Sequence, residues 1–156
     1  MAIALRAVTD ADLDAIFDQM RDPESVQMAA FTAEDPNDRA AFDAHQARIR
    51  SSPDATQYAI TQDGLLVGTI GVFVMEGDTE ITYWLARRFW GQGIATQALA
   101  LLLATVRTRP IHARAASDNL ASLRVLQKAG FIPTGTDRGY ANARAAEIEE
   151  TILRLD

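Results

Sequence analysis

Asp78–Val106, DTEITYWLARRFWGQGIATQALALLLATV, runs from an extended apolar stretch through a glycine-bearing turn into an apolar helical segment. The opening residues, DTEITYWL, have the Thr, Ile, Tyr and Trp content of a strand. The closing segment, IATQALALLLATV, is apolar on nearly every side, as a helix buried against a sheet is. Between them lies RRFWGQG, Arg87 to Gly93. Strand, turn and helix N-terminus in that order make an anion site. The first N–H groups of a helix have no partner inside it, and the helix dipole adds partial positive charge there. Gly91 and Gly93 let a ligand approach backbone with no Cβ in the way. Arg87 and Arg88 add charge at the same mouth, so a phosphate-bearing cofactor suits it.

Toward the N-terminus, LLVGTIGVFVM (Leu65 to Met75) reads as a strand joined to DTEITYWL by the turn Glu76-Gly77-Asp78. TQYAIT (Thr56 to Thr61) precedes it, and Asp63-Gly64 supplies a tight hairpin turn. Asn37 opens a helix, DRAAFDAHQARIR, that ends near Arg50. Residues 22–36 have mixed character and no clear period, and Asp22-Pro23 breaks a helix over about residues 10–20. Thr9 caps that helix, with Asp12 three residues on. IALRAV (Ile3 to Val8) is a first strand. Toward the C-terminus, Pro110 stops the apolar helix and IHARAA (Ile111 to Ala116) is a strand. Asn119 caps a helix to about Ala129, with Gly130 as its terminator. FIPTG and AEIEETILRL close the chain as two strands. The expected architecture is one α/β (α+β) domain over residues 1–156. Its sheet of about seven strands is mixed but mostly antiparallel, with helices on both faces. The connection from Asp78–Leu85 through the apolar helix to Ile111–Ala116 is a parallel, right-handed crossover.

Composition narrows the partners. A net charge of −6 argues against non-specific nucleic-acid or anionic-membrane binding. With no cysteine, thiolate metal sites, disulfides and a cysteine nucleophile are excluded. His45 and His112 are far apart and form no metal motif, so no metal is expected. No secretory signal is visible and no apolar run is long enough to span a bilayer, so the expected location is the cytoplasm.

The turn itself admits three readings. As a dinucleotide fingerprint, Gly91-Gln92-Gly93 lacks a third glycine, because Thr96 stands there. No acidic residue closes the next strand, and the preceding strand belongs to an antiparallel meander. A P-loop fails because no Gly-Lys-Ser/Thr follows. A glycine turn that only connects strand to helix is the second reading.

The third comes from a resemblance. Arg88-x-x-Gly91-x-Gly93 resembles the [Q/R]-x-x-G-x-[G/A] pyrophosphate loop of the GNAT superfamily of N-acetyltransferases. YWLARRFWGQGIATQAL is similar to the RimJ/RimL-type branch, which acetylates ribosomal-protein N-termini. So is NLASLRVLQKAGF, Asn119 to Phe131, which matches N-x-x-S-x-x-x-L-x-K-x-G-F. The order of strands and helices is also that family's order. The resemblance covers the chain and is strongest from residue 56 to 131.

It implies acetyl-coenzyme A as co-substrate and a primary amine as acceptor, on a protein or peptide N-terminus or a small molecule. The central strand would splay from its parallel neighbour, and the backbone of Tyr83, Trp84 and Leu85 would pair with the pantetheine arm. The pyrophosphate would sit on the amides of Gly91, Gln92, Gly93, Ile94, Ala95 and Thr96, with Arg88 reaching it, and Asn119 would face the cofactor arm. Glu80 is the candidate base, since a carboxylate amid apolar strand residues gains basicity from burial. The other reading of Glu80 is a cross-strand partner for a cation or a solvated strand-end charge. Alternation puts Glu80, Thr82 and Trp84 on one face and Ile81, Tyr83 and Leu85 on the other. Many such enzymes protonate the thiolate with a tyrosine seven residues after the asparagine. Leu126 stands there, so Ser122 takes the donor role in the RimJ/RimL pattern, beside its alternative as a helix-start hydrogen bonder. Arg87, Lys128, His45 and His112 are read as surface or structural residues, and Phe89 and Trp90 as packing under the loop. The acceptor pocket is expected from residues 22–45 and the turn 137–144. Homodimers are common in the family. The alternative function is a non-catalytic acyl-coenzyme A-binding or sensor module.

Overall fold

The computed structural model describes residues 2–156 and contains one seven-stranded sheet. Its strands are β1 (Ile3–Ala7), β2 (Ala55–Gln62), β3 (Leu65–Met75), β4 (Asp78–Leu85), β5 (Ile111–Ala116), β6 (Ile132–Ala141) and β7 (Ala146–Leu155). They lie in the order β1-β2-β3-β4-β5-β7-β6. Every neighbouring pair is antiparallel except β4 and β5. The expected mixed sheet is therefore the observed one.

Five α-helices dress the sheet: α1 (Leu13–Met20), α2 (Pro23–Ala29), α3 (Arg39–Ser51), α4 (Ile94–Thr105) and α5 (Leu120–Lys128). The apolar run of α4 buries Ile94, Ala98, Leu99 and Leu102 and leaves Leu101 exposed. It is thus covered on one face rather than all round. Its buried residues join Ile60, Val67, Ile70, Ile81, Leu85, Leu126 and Phe131 in the main core. Each fully buried side chain of this size contributes about 1.5–3 kcal/mol.

Two local readings change. Asp22-Pro23 does end α1, but it also starts α2. Asp22 accepts the Ser25 N–H at 3.0 Å, and Pro23 takes the first turn, where its missing N–H costs nothing. The start of α3 moves one residue, because Asp38, not Asn37, accepts from Ala41 N–H at 3.0 Å. Near the N-terminus the Asp12 carboxylate accepts from Thr9 N–H at 2.8 Å and binds Arg6 at 2.7 and 2.8 Å. That pairing holds Asp12 well below the usual carboxylate range and ties β1 to the start of α1.

The closing strands are longer than FIPTG suggests, because β6 pairs with β7 as far as Ala141↔Ala146. Residues 137–141 are therefore strand, and the connection is 142–145. It reaches across the molecule. Ala143 N–H donates to Ala30 O at 3.2 Å, Asn142 Nδ2 to Thr32 O at 2.8 Å and Arg144 Nε to Gln27 O at 2.8 Å. Arg144 also pairs with Asp118. These bonds hold the end of α2 and the following loop over one end of the sheet.

Candidate active site

The parallel pair β4/β5 is in register at a single position, Glu80↔His112. Beyond it the strands part, so residues 81–85 of β4 have no ladder partner on that side. Two glycines of β3 let it lie tight against its neighbours, Gly68 against β4 and Gly71 against β2. A Cβ on Gly68 would stand 2.2 Å from Trp84 O, and one on Gly71 would stand 2.7 Å from Thr56 O. The gap opens between two cavities. The larger, ≈ 800 Å³, lies toward α1, α3 and the loop after α2. The smaller, ≈ 230 Å³, lies between β4, the turn at Gly91 and α5. Ala29, Tyr83, Trp84, Asn119 and Ser122 line both.

At the mouth of the smaller cavity, α4 begins at Gly93, which has φ +78° and offers no side-chain cap. Gly91 has φ +73°, and a Cβ on either glycine would meet nothing within 4 Å. The left-handed backbone explains glycine at both positions. The first amides of α4 therefore face open space with neither a cap nor a side chain in front of them. Such a mouth fits a phosphate group. The Arg88 guanidinium lies 4.7 Å from the Phe89 ring centroid and, among the described residues, has no carboxylate in ion-pair range. Arg87 is the opposite case, since it is bound to Asp22 at 3.0 Å and Glu24 at 3.1 Å. Gln92 turns back, with its Nε2 donating to Arg88 O at 3.2 Å. Ile94 is a core side chain, so only its amide is at the mouth. Ala95 and Thr96 follow in the first turn, and Ala95 lines the smaller cavity.

The side chains of β4 divide as alternation requires. Trp84 Nε1 donates to Gln19 O at 3.0 Å, which fastens α1 to one face. Leu85 is in the core, and its carbonyl accepts from Trp90 Nε1 at 2.9 Å, which closes the loop base. Tyr83 reaches the other face, where its Oη donates to Ser122 Oγ at 3.0 Å. Ser122 N–H in turn donates to Asn119 Oδ1 at 3.3 Å, so Asn119 caps α5 while lining both cavities.

Glu80 is 5% exposed on the wall of the larger cavity. Burial pushes its carboxyl up from the ordinary value, and the charges of Arg114 and His112 oppose that. Arg114 Nε is 3.8 Å from Glu80 Oε1, while its Nη1 is 3.1 Å from Glu150 and 3.5 Å from Asp137. The cross-strand-cation reading of Glu80 thus holds geometrically, yet Glu80 is also part of the cavity lining. Arg114 and Glu150 were not singled out in the sequence. Their one signal is the one that marked Glu80, a charged residue inside an apolar strand. The hydroxyl of Tyr83 was also missed, because the sequence pairs it with nothing 39 residues away. Lys128, in the last turn of α5, lines neither cavity. His45 lines the larger cavity, and burial lowers its pKa. His112 Nε2 is 3.7 Å from Asp78. Among the described residues no group of side chains could hold a metal ion, and no helix is long and apolar enough to cross a membrane.

Several solved structures share this fold. RimL, a ribosomal L7/L12 alpha-N-protein acetyltransferase solved with coenzyme A, superposes with a TM-score of 0.83 at 20% identity, covering 99% of this chain and 94% of that one. Mycobacterium smegmatis RimJ, solved with a coenzyme A disulfide, gives 0.80 at 25% identity, covering 98% and 81%. A phosphinothricin acetyltransferase from Sinorhizobium meliloti, solved with acetyl-coenzyme A, gives 0.82 at 19% identity, covering 99% and 88%. In sequence, 97 residues are 28% identical to the uncharacterized N-acetyltransferase p20 of Bacillus licheniformis, covering 58% of this chain. The match spans about half of that relative's length, 54%. The acetyltransferase (GNAT) domain matches residues 3–132. With the split β4/β5 pair, the uncapped glycine turn and this match across most of its length, the chain belongs to the GNAT acetyltransferase family.

Proposed function

We propose that this protein transfers the acetyl group of acetyl-coenzyme A to a primary amine by direct attack of the amine on the thioester. The observation that carries the reading is the meeting of two cavities at the β4/β5 gap beside an uncapped helix N-terminus. In this reading the smaller cavity takes the pantetheine arm along Tyr83, Trp84 and Leu85. The amides of residues 91–96, with Arg88, take the pyrophosphate. The larger cavity takes the amine. Glu80 on its wall accepts the proton that nitrogen must lose, and Ser122 at the junction donates to the leaving thiolate.

The lining of the larger cavity supports a cationic acceptor with an apolar body. Its carboxylates, Asp35, Asp38, Glu80 and Glu150, outnumber the guanidiniums Arg48 and Arg114. Phe17, Phe31, Phe42 and Phe73 supply apolar and aromatic wall. An ammonium arriving there is attracted electrostatically, and aromatic faces favour cations further. A free aralkylamine and a peptide N-terminus that begins with an apolar residue both meet this description.

Coenzyme A thiol release is the direct assay, run with acetyl-coenzyme A over a panel of small amines and N-terminal peptides. Turnover is expected with cationic, apolar amines and not with anionic ones. Tight binding of acetyl-coenzyme A with no thiol release on any acceptor, and no effect of Glu80→Gln, is the result that replaces this reading with a sensor module.

A further inference from the structure

We propose that the Tyr83 phenol holds Ser122 as the proton donor to the departing thiolate, making Tyr83 a positioning residue that acts through Ser122. The inference rests on the acetyl-transfer reading above. Tyr83 Oη donates to Ser122 Oγ at 3.0 Å, and Asn119 Oδ1 accepts the Ser122 N–H at 3.3 Å, so the serine is held by side chain and backbone together. Both residues of the hydroxyl pair line both cavities, which is where a thioester must lie to be met from either side.

A serine hydroxyl has one proton and two lone pairs. With Tyr83 donating into one lone pair, the serine's own proton is left for an acceptor in the cavity. Burial pushes the Tyr83 phenol up, against the bond to Ser122, so at neutral pH the phenol keeps its proton and remains the donor of the pair. The α5 helix offers no substitute one turn further on, because Leu126 is apolar and buried.

In the step itself, the amine nitrogen bonds to the carbonyl carbon and the C–S bond breaks, its electron pair staying on sulfur. Sulfur takes the Ser122 hydroxyl proton, and Ser122 takes the phenol proton of Tyr83. Tyr83 regains a proton from solvent, while the surplus proton on nitrogen leaves through Glu80 to solvent. The sum is amine plus thioester to amide plus thiol, with no net proton change.

Leaving-group chemistry separates this role from simple packing. Tyr83→Phe keeps the ring and is expected to lower kcat with acetyl-coenzyme A by about 10²-fold, the low end of what a placed proton donor contributes. Ser122→Ala should do the same, and the double variant should be no slower, since residues acting as a unit are not additive. With the acetyl selenoester of coenzyme A, whose selenolate leaves without a proton, all three variants should run within about twofold of the parent. Acetyl-coenzyme A affinity by calorimetry should be unchanged, which reports intact folding. Three results each overturn the role: a parent-like Tyr83→Phe rate with the thioester, an equal defect with both donors, or multiplying defects in the double variant. A parent protein that releases neither thiol nor selenol with any amine overturns the transfer reading itself, and this role with it.

Discussion

Glu80 is opposite Phe73 on β3 and His112 on β5, at the last paired position before the sheet divides. Its carboxyl is raised by burial, while Arg114 holds it only at 3.8 Å because Glu150 and Asp137 take that guanidinium's closer contacts. A base must be ionised to accept a proton. Below its native pKa Glu80 carries a proton and cannot act, so the rate should rise with pH as Glu80 loses it. Because the shift is upward, that limb should lie above the ordinary glutamate value of about 4.3. Glu80→Gln should lower kcat by about 10²-fold or more and remove the limb, while acetyl-coenzyme A affinity stays the same. A pH–rate profile of the variant that keeps the same limb would assign it to another group. The sequence marked Glu80 by its oddity in an apolar strand. It did not show Arg114 and Glu150, because their meaning lies in a β5/β7 pairing, Ala116↔Glu150, between segments that are distant in the chain.

At the scale of elements, the helix α4 begins at a glycine and so without a side-chain cap, at a cost of only a few tenths of a kcal/mol. The missing cap leaves its amides available, and the glycines make the turn possible. Gly93→Val forces a β-branched residue into a left-handed backbone, at roughly 1–2 kcal/mol, and puts its side chain across the amides. Calorimetry should show acetyl-coenzyme A affinity reduced by about tenfold or more, with the thermal midpoint down by only a few degrees. Unchanged affinity would move the phosphate site elsewhere. The turn was legible because its signal is local: glycines at a strand-to-helix junction. Asp22-Pro23 was only half legible, since Pro both stops one helix and starts another. The length of β6 was not legible. TGTDRGYA is largely polar, mostly exposed up to the buried Ala141 and without alternation, and it is a strand only because β7 lies beside it.

Across the whole molecule, about seven strands, their succession along the chain and the parallel crossover followed from local period and turn chemistry, whereas the place of β7 between β5 and β6 and the cavities did not. The larger one is roofed by α3 and the loop after α2, and that loop is held by residues 142–145 from the far end of the chain. No short-range pattern encodes such a roof. The division of the sheet has a further consequence, for motion. Residues 81–85 belong to a central strand by position, yet on the side facing β5 they have no ladder partner, as at an edge, and of their carbonyls Leu85 O is taken by Trp90 Nε1 instead. In hydrogen exchange, the alternate amides on that side should trade with solvent at edge-like rates, while their neighbours bonded to β3 are protected. Acetyl-coenzyme A should slow these amides selectively, giving the sheet the missing rung of its ladder for as long as the ligand stays.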